Sequence, residues 1–255
     1  MLRRMIINVL LVTVLGSKFN EDLKPQTRIV GGQETNIEKF PYQISLEYNK
    51  KHTCGGAIIS RNYVITAAHC IEDDLVKDFR VRTGSDYRDR GGQIRLIRWI
   101  FNHPQHVPDS HDYDFSILKL KTHLKFDEKC QAIKLPRSDE HIKDGTNLTV
   151  SGWGITMNSK ESNVKLRALV VPKINDDVCR KIYMDVAKIT PRMFCAGFKE
   201  GGKDSCREDS GGPLVKGKVL MGIVSWGEGC ATRGHPGVYA RVASVRKWIK
   251  LVTDL

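Results

Sequence analysis

The sequence has no C-x-x-C pair, no internal repeat, no low-complexity linker and no long block of basic side chains. The first absence argues against a structural zinc site of the finger or ribbon kind. The last matters because the chain is basic, with 41 Lys and Arg against 29 Asp and Glu, a net charge of +12. Removing the segment up to Arg28, with its 5 basic and 2 acidic side chains, leaves +9. Scattered positive charge makes a solvated surface and leaves no stripe for nucleic acid. A membrane-spanning helix is missing too: the most apolar N-terminal stretch offers about 11 apolar residues where roughly 18 are needed.

That stretch has another reading. Arg3 and Arg4 precede a mostly apolar segment from Met5 to Val12, and small residues follow around Gly16. This is the layout of a secretory signal, residues 1–16, cut after Gly16. Seven cysteines follow it: Cys54, Cys70, Cys130, Cys179, Cys195, Cys206 and Cys230. An exported chain meets oxidising conditions, so most of them should be paired, and the odd count leaves at least one over.

Short alternating segments recur between turn residues. Tyr42, Ile44, Leu46 and Tyr48 alternate with Gln43, Ser45, Glu47 and Asn49, Ile94 and Leu96 with Gln93 and Arg95, and Val219 to Ser225 is a short apolar run. Period-two patterning predicts many short strands, hence a sandwich or barrel. Asn175 is placed to cap a helix carrying Asp176 and Asp177, and Val242, Val245, Trp248, Ile249 and Val252 form a helical stripe at the C-terminus. The fold class is mostly β with a terminal helix.

Three short stretches carry chemistry. Ser210 lies in "DSGGP", where glycines let backbone approach a substrate closely. A serine hydroxyl becomes nucleophilic only when a base takes its proton and an acid orients that base. His69, in "TAAHC", is a candidate base beside a cysteine, although alone it reads as a core histidine. Asp114 heads the apolar segment "DFSILKL", with Asp109 and Asp112 as nearby competitors.

Together these stretches are similar to those of a known family. From Ile29 to Leu255 the chain resembles a trypsin-like serine protease of the chymotrypsin family, of the secreted, arthropod-like digestive type. The matching motifs are "RIVGG" from Arg28, "CGGAIIS" from Cys54, "TAAHC" from Thr66 and "DFSIL" from Asp114. "SGWG" from Ser151, "DSGGP" from Asp209, "SWGEGC" from Ser225 and "PGVY" from Pro236 follow in the family's order. The resemblance implies an all-β fold of two antiparallel six-stranded barrels, about 29–133 and 137–240, with a C-terminal α-helix. His69 and Asp114 would come from the first barrel and Ser210 from the second, with the site between them. It also implies disulfides Cys54–Cys70, Cys179–Cys195 and Cys206–Cys230, leaving Cys130 as a small buried thiol.

Further expectations come with the family. Residues 17–28 would be a propeptide; cleavage after Arg28 would free the Ile29 ammonium to pair with Asp209. Asp204 would floor the primary pocket and Gly227 and Gly237 would form its walls, so the substrates would be proteins and peptides cut after Arg or Lys. No cofactor is expected and no metal, because the loop matching a calcium site, 83–93, holds Asp86 and Asp89 among Arg88 and Arg90. Protein protease inhibitors would be partners; nucleic acid and membranes would not, and the chain would be a monomer. Asn147-Leu148-Thr149 is a glycosylation sequon.

One position departs from the family. Glu208 stands where relatives carry glycine, and its N–H, with that of Ser210, would form the oxyanion hole. A carboxylate there opposes developing negative charge. The expectation is an active but slowed and inhibitor-resistant enzyme. The competing reading is a weak or inactive homologue that works by binding, but such homologues usually lose the serine or the histidine, and this chain keeps both.

Overall fold

A computed structural model describes residues 30–71, 75–155 and 164–255. The expected signal, the propeptide, Arg28 and Ile29 lie outside these residues. In chain order the strands are β1 Gln33–Glu34, β2 Gln43–Tyr48, β3 Lys51–Ile58, β4 Tyr63–Thr66, β5 Phe79–Thr83, β6 Gln93–Asn102 and β7 Ser116–Leu120. There follow β8 Asn147–Gly152, β9 Arg167–Pro172, helix α1 Asp176–Ile182, β10 Met193–Ala196, β11 Pro213–Lys216, β12 Val219–Trp226, β13 Gly237–Arg241 and helix α2 Arg246–Thr253.

Strands β2 to β7 close into an antiparallel barrel in the order β2-β3-β4-β7-β6-β5. The second sheet is ordered β1-β9-β8-β11-β12-β13-β10. It comes back on itself where Lys173, just past β9, bridges Ala196 at the end of β10, with Ile174 N–H donating to Cys195 O at 2.9 Å. Closure there rests on a few bonds, and the two-residue β1 is an added edge, so this half is looser than an even six-stranded barrel. Closed sheets leave few strand edges for unwanted pairing.

Strands β2 and β6 lie where the alternation placed them, but neither divides into a buried apolar face and an exposed polar one. Gln43, Ser45 and Glu47 on β2 are fully buried. The face that an isolated sheet would give to water meets partners here: Ser151 Oγ donates to Gln43 Oε1 at 2.7 Å, and Arg82 Nε to Glu47 Oε1 at 2.6 Å. Conversely Ile94, Leu96 and Trp99 of β6 are exposed.

One apolar cluster joins the two halves, combining Ile65, Phe115 and Ile117 with Leu220, Ile223 and Ile249. Val242 and Val245 of the stripe read at the C-terminus lie in a 3-10 turn before α2, and Trp248, Ile249 and Val252 on α2 continue it against the joint, with Ile249 completely buried. Asn175 caps α1 as its sequence suggests: its Oδ1 accepts from Asp177 N at 2.9 Å and Val178 N at 3.2 Å. The three disulfides are those that the resemblance implied, and Cys130 is a buried free thiol.

Candidate active site

Asp114 precedes β7 and is completely buried. Such burial opposes ionisation, yet its partners hold its carboxyl below the usual range. Its Oδ2 accepts from His69 Nδ1 at 2.8 Å and from Ser225 Oγ at 2.6 Å, and its Oδ1 from His69 N–H at 3.0 Å. The imidazole is therefore locked in one tautomer and orientation, with Nδ1 carrying the proton. Neither competitor takes this place: Asp109 is exposed, and Asp112 binds Thr190 and Arg192.

Ser210 is tied by backbone to the strands on either side of this pair. Its carbonyl accepts from Gly55 N–H at 2.8 Å, joining it to β3. Thr66 Oγ1 donates to Gly55 O at 2.8 Å, three residues before His69. On the other side Gly211 N–H donates to Val224 O at 2.7 Å, next to the Ser225 that binds Asp114. Gly211 has φ +75°, and a Cβ there would lie 2.1 Å from Thr66 Oγ1. Only glycine lets the serine turn seat this closely.

Asp204 lines a cavity of about 210 Å³ together with Ser210, Ser225, Gly227, Gly237 and Arg207. It is 4% exposed, and burial pushes its carboxyl up to about 7. A cation entering the cavity favours the ionised form. A Cβ on Gly237 would come within 2.7 Å of Asp204 Oδ1, so that glycine keeps the carboxylate reachable. Gly227 has ordinary clearance and simply leaves the cavity open.

Asp209, also fully buried, accepts from Gly154 N at 2.8 Å and Cys206 N at 3.1 Å. Burial pushes it up to about 6, and the neighbouring Glu208 charge adds to the rise.

Glu208 has φ +72°, a left-handed conformation that suits glycine. Two contacts hold it there. Its carboxylate pairs with Arg88, from the loop before β6. Its carbonyl meets His52 Nε2 at 3.0 Å. Because a carbonyl only accepts, His52 carries its proton on Nε2, and Nδ1 accepts from Ser45 Oγ at 2.7 Å. Burial, helped by the Arg88 charge, lowers His52 to about 4, so it stays neutral.

With this geometry in view, the comparisons decide the family. The family model described as Trypsin matches residues 29–249. The chain belongs to the trypsin family. It is similar to "Trypsin 5G1" of Aedes aegypti, 47% identical over 234 residues, covering 91% of this chain and 88% of that protein. It is 41% identical to "Vitellin-degrading protease" of Bombyx mori over 239 residues, covering 93% and 90% of the two chains. With "Trypsin alpha" of Drosophila melanogaster it shares 39% over 254 residues, covering 98% and 97%. The protein is a trypsin-like serine endopeptidase, a hydrolase whose substrates are proteins. Within the trypsin domain, Ser225, His52 and Arg88 went unassigned in the sequence. Ser225 stood inside a recognised motif, whereas Arg88 is 120 residues from Glu208 and had no local signal.

Proposed function

We propose a secreted endopeptidase made as an inactive precursor, activated by cleavage after Arg28, which hydrolyses peptide bonds after Arg or Lys. Ser210 Oγ attacks the carbonyl carbon and its proton passes to His69 Nε2. The imidazolium is stabilised by Asp114 and then protonates the leaving amine. Water, deprotonated by the same nitrogen, hydrolyses the acyl-enzyme. The N–H groups of Glu208 and Ser210 receive the oxyanion.

The observation that carries the specificity is Asp204, a buried carboxylate lining the same cavity as Ser210. Hydrolysis of matched substrates with Arg, Lys or Leu before the cut tests it. Arg and Lys should be strongly preferred, and Asp204→Ser should lower kcat/KM for Arg by roughly a hundredfold or more, because the substrate cation loses its partner. Equal rates on Leu substrates would sink the assignment.

Glu208 makes this enzyme slower than a glycine counterpart and resistant to rigid protein inhibitors that press on the leaving-group side. Arg88 supports a mild handicap, since the carboxylate beside the oxyanion site is already paired. Secretion, a monomeric state and glycosylation at the exposed Asn147 complete the proposal.

A further inference from the structure

The left-handed φ of +72° at Glu208 is a conformation that a residue with a Cβ disfavours and that glycine adopts at little cost. Both peptide groups flanking this residue are tied down. On the N-terminal side Arg207 O accepts from Ile155 N–H at 2.9 Å. On the C-terminal side Asp209 N–H donates to Cys206 O at 3.0 Å, and Glu208 O accepts from His52 Nε2 at 3.0 Å. The histidine comes from β3 in the other barrel, 156 residues away in sequence.

The His52 ring is itself oriented. Its Nδ1 accepts from Ser45 Oγ at 2.7 Å, which leaves the proton on Nε2, facing the Glu208 carbonyl. The Trp153 ring meets the imidazole edge-on, with centroids 5.8 Å apart and planes at 72°. Trp153 is in turn buried and donates from Nε1 to Asp86 O at 2.9 Å. A hydroxyl, an indole and an imidazole thus stand in line behind one carbonyl.

We propose that His52 is a positioning residue for the oxyanion hole: by holding Glu208 O it keeps Glu208 left-handed, and so aims the Glu208 N–H at the carbonyl oxygen under attack. Without that bond the turn relaxes toward the negative φ that glutamate prefers, and rotation about N–Cα breaks the alignment of the donor. Glycine at the same position would need the histidine far less, because positive φ is open to it anyway. The dependence on His52 is therefore a consequence of this chain's glutamate. It rests on the proposed role of the Glu208 N–H.

The test introduces His52→Leu into the chain cut after Arg28, once with Glu208 in place and once together with Glu208→Gly, with matched circular dichroism. The readouts are kcat and KM for an arginine ester, inhibition by a peptidyl arginine aldehyde, and inhibition by benzamidine. The aldehyde forms an adduct on Ser210 whose oxygen occupies the hole, whereas the amidinium needs only the Asp204 cavity. With Glu208 present, His52→Leu should lower kcat roughly tenfold to a hundredfold, leave KM little changed and weaken the aldehyde by a similar factor. Benzamidine binding should stay within about twofold, and in the Glu208→Gly background the loss in kcat should shrink to about threefold or less. His52→Gln, which keeps an N–H near the place of Nε2, should retain more of the rate. Should His52→Leu fail to fold, Ser45→Ala takes its place, with the same contrast between backgrounds on a smaller scale. Equal losses in the two backgrounds, no loss in either, or benzamidine weakened in step with the aldehyde would overturn the proposal. An unsubstituted chain that binds benzamidine yet neither hydrolyses the ester nor takes up the aldehyde would instead sink the reading of Ser210 and its oxyanion hole.

Discussion

Glu208 and Arg88 form an ion pair across the junction of the two barrels. One residue stands two before the serine and the other lies in the loop ahead of β6. On the proposed mechanism the pair would turn an unfavourable charge into a contact that holds the oxyanion-hole backbone. Removing the cation alone should therefore be worse than removing both partners.

Arg88→Gln should lower kcat/KM, and Glu208→Gly should restore it in the double variant. At about 7 Å an uncompensated charge costs about 0.6 kcal/mol in a water-like medium and about 2.4 kcal/mol at an effective dielectric of 20. The loss should fall between roughly 3-fold and 60-fold. Steady-state kinetics of the two single variants and the double variant check this. Additive losses would mean that the pair does not act as a unit.

Glu208→Gly should tighten binding of a rigid protein inhibitor that presents Arg to the pocket, by roughly tenfold or more, while changing hydrolysis of a small ester much less. A truncated substrate leaves the space beside Glu208 empty, whereas a folded inhibitor has to desolvate the carboxylate there. Inhibition constants with and without the substitution provide the check.

Ser225→Ala should cost roughly tenfold to a hundredfold in kcat, with KM for an arginine ester little changed. The lost bond is to a buried carboxylate, worth about 1.5 to 3 kcal/mol, and Asp114 would orient His69 less firmly without it. Ser225→Thr, which keeps the hydroxyl, should retain more of the rate. A rise in KM alone, with kcat intact, would place Ser225 in substrate binding.

The uncut chain should show an inverted pH response traceable to Asp209. An acid whose pKa is raised by folding, here from 3.8 to about 6, binds more protons folded than unfolded between those values. Its contribution to stability therefore falls as pH rises from about 4 to 6 and stays lost above. The full effect is about 3 kcal/mol. Denaturant unfolding of uncut Ser210→Ala against Ser210→Ala/Asp209→Asn should show a gap that widens over that window. Cleavage after Arg28 should remove the penalty, because the new ammonium would pair with the carboxylate.

What could be read from the sequence was local. Asn175 announced its helix because a cap and its helix are neighbours, and His69, Asp114 and Ser210 sit in short runs whose chemistry is visible residue by residue. Contacts between residues far apart in sequence, within one barrel or between the two, were not legible. Gln43, Ser45 and Glu47 looked like the wet face of β2 and are buried, because Ser151, His52 and the arginines of β5 reach them only after folding. Glu208 was flagged as a charge opposing the oxyanion, and its cation could not be named for the same reason: it arrives from the other barrel.

The central claim, that Ser210 is competent despite Glu208, is tested most directly by active-site titration. The secreted chain, cut after Arg28 and with Ile29 confirmed as its terminus, is mixed with an arginine ester that leaves a slowly hydrolysed acyl group. The account predicts a burst of close to one equivalent per chain, abolished in Ser210→Ala. No burst from the correctly cut chain would contradict it and mean that the oxyanion hole does not form around Glu208.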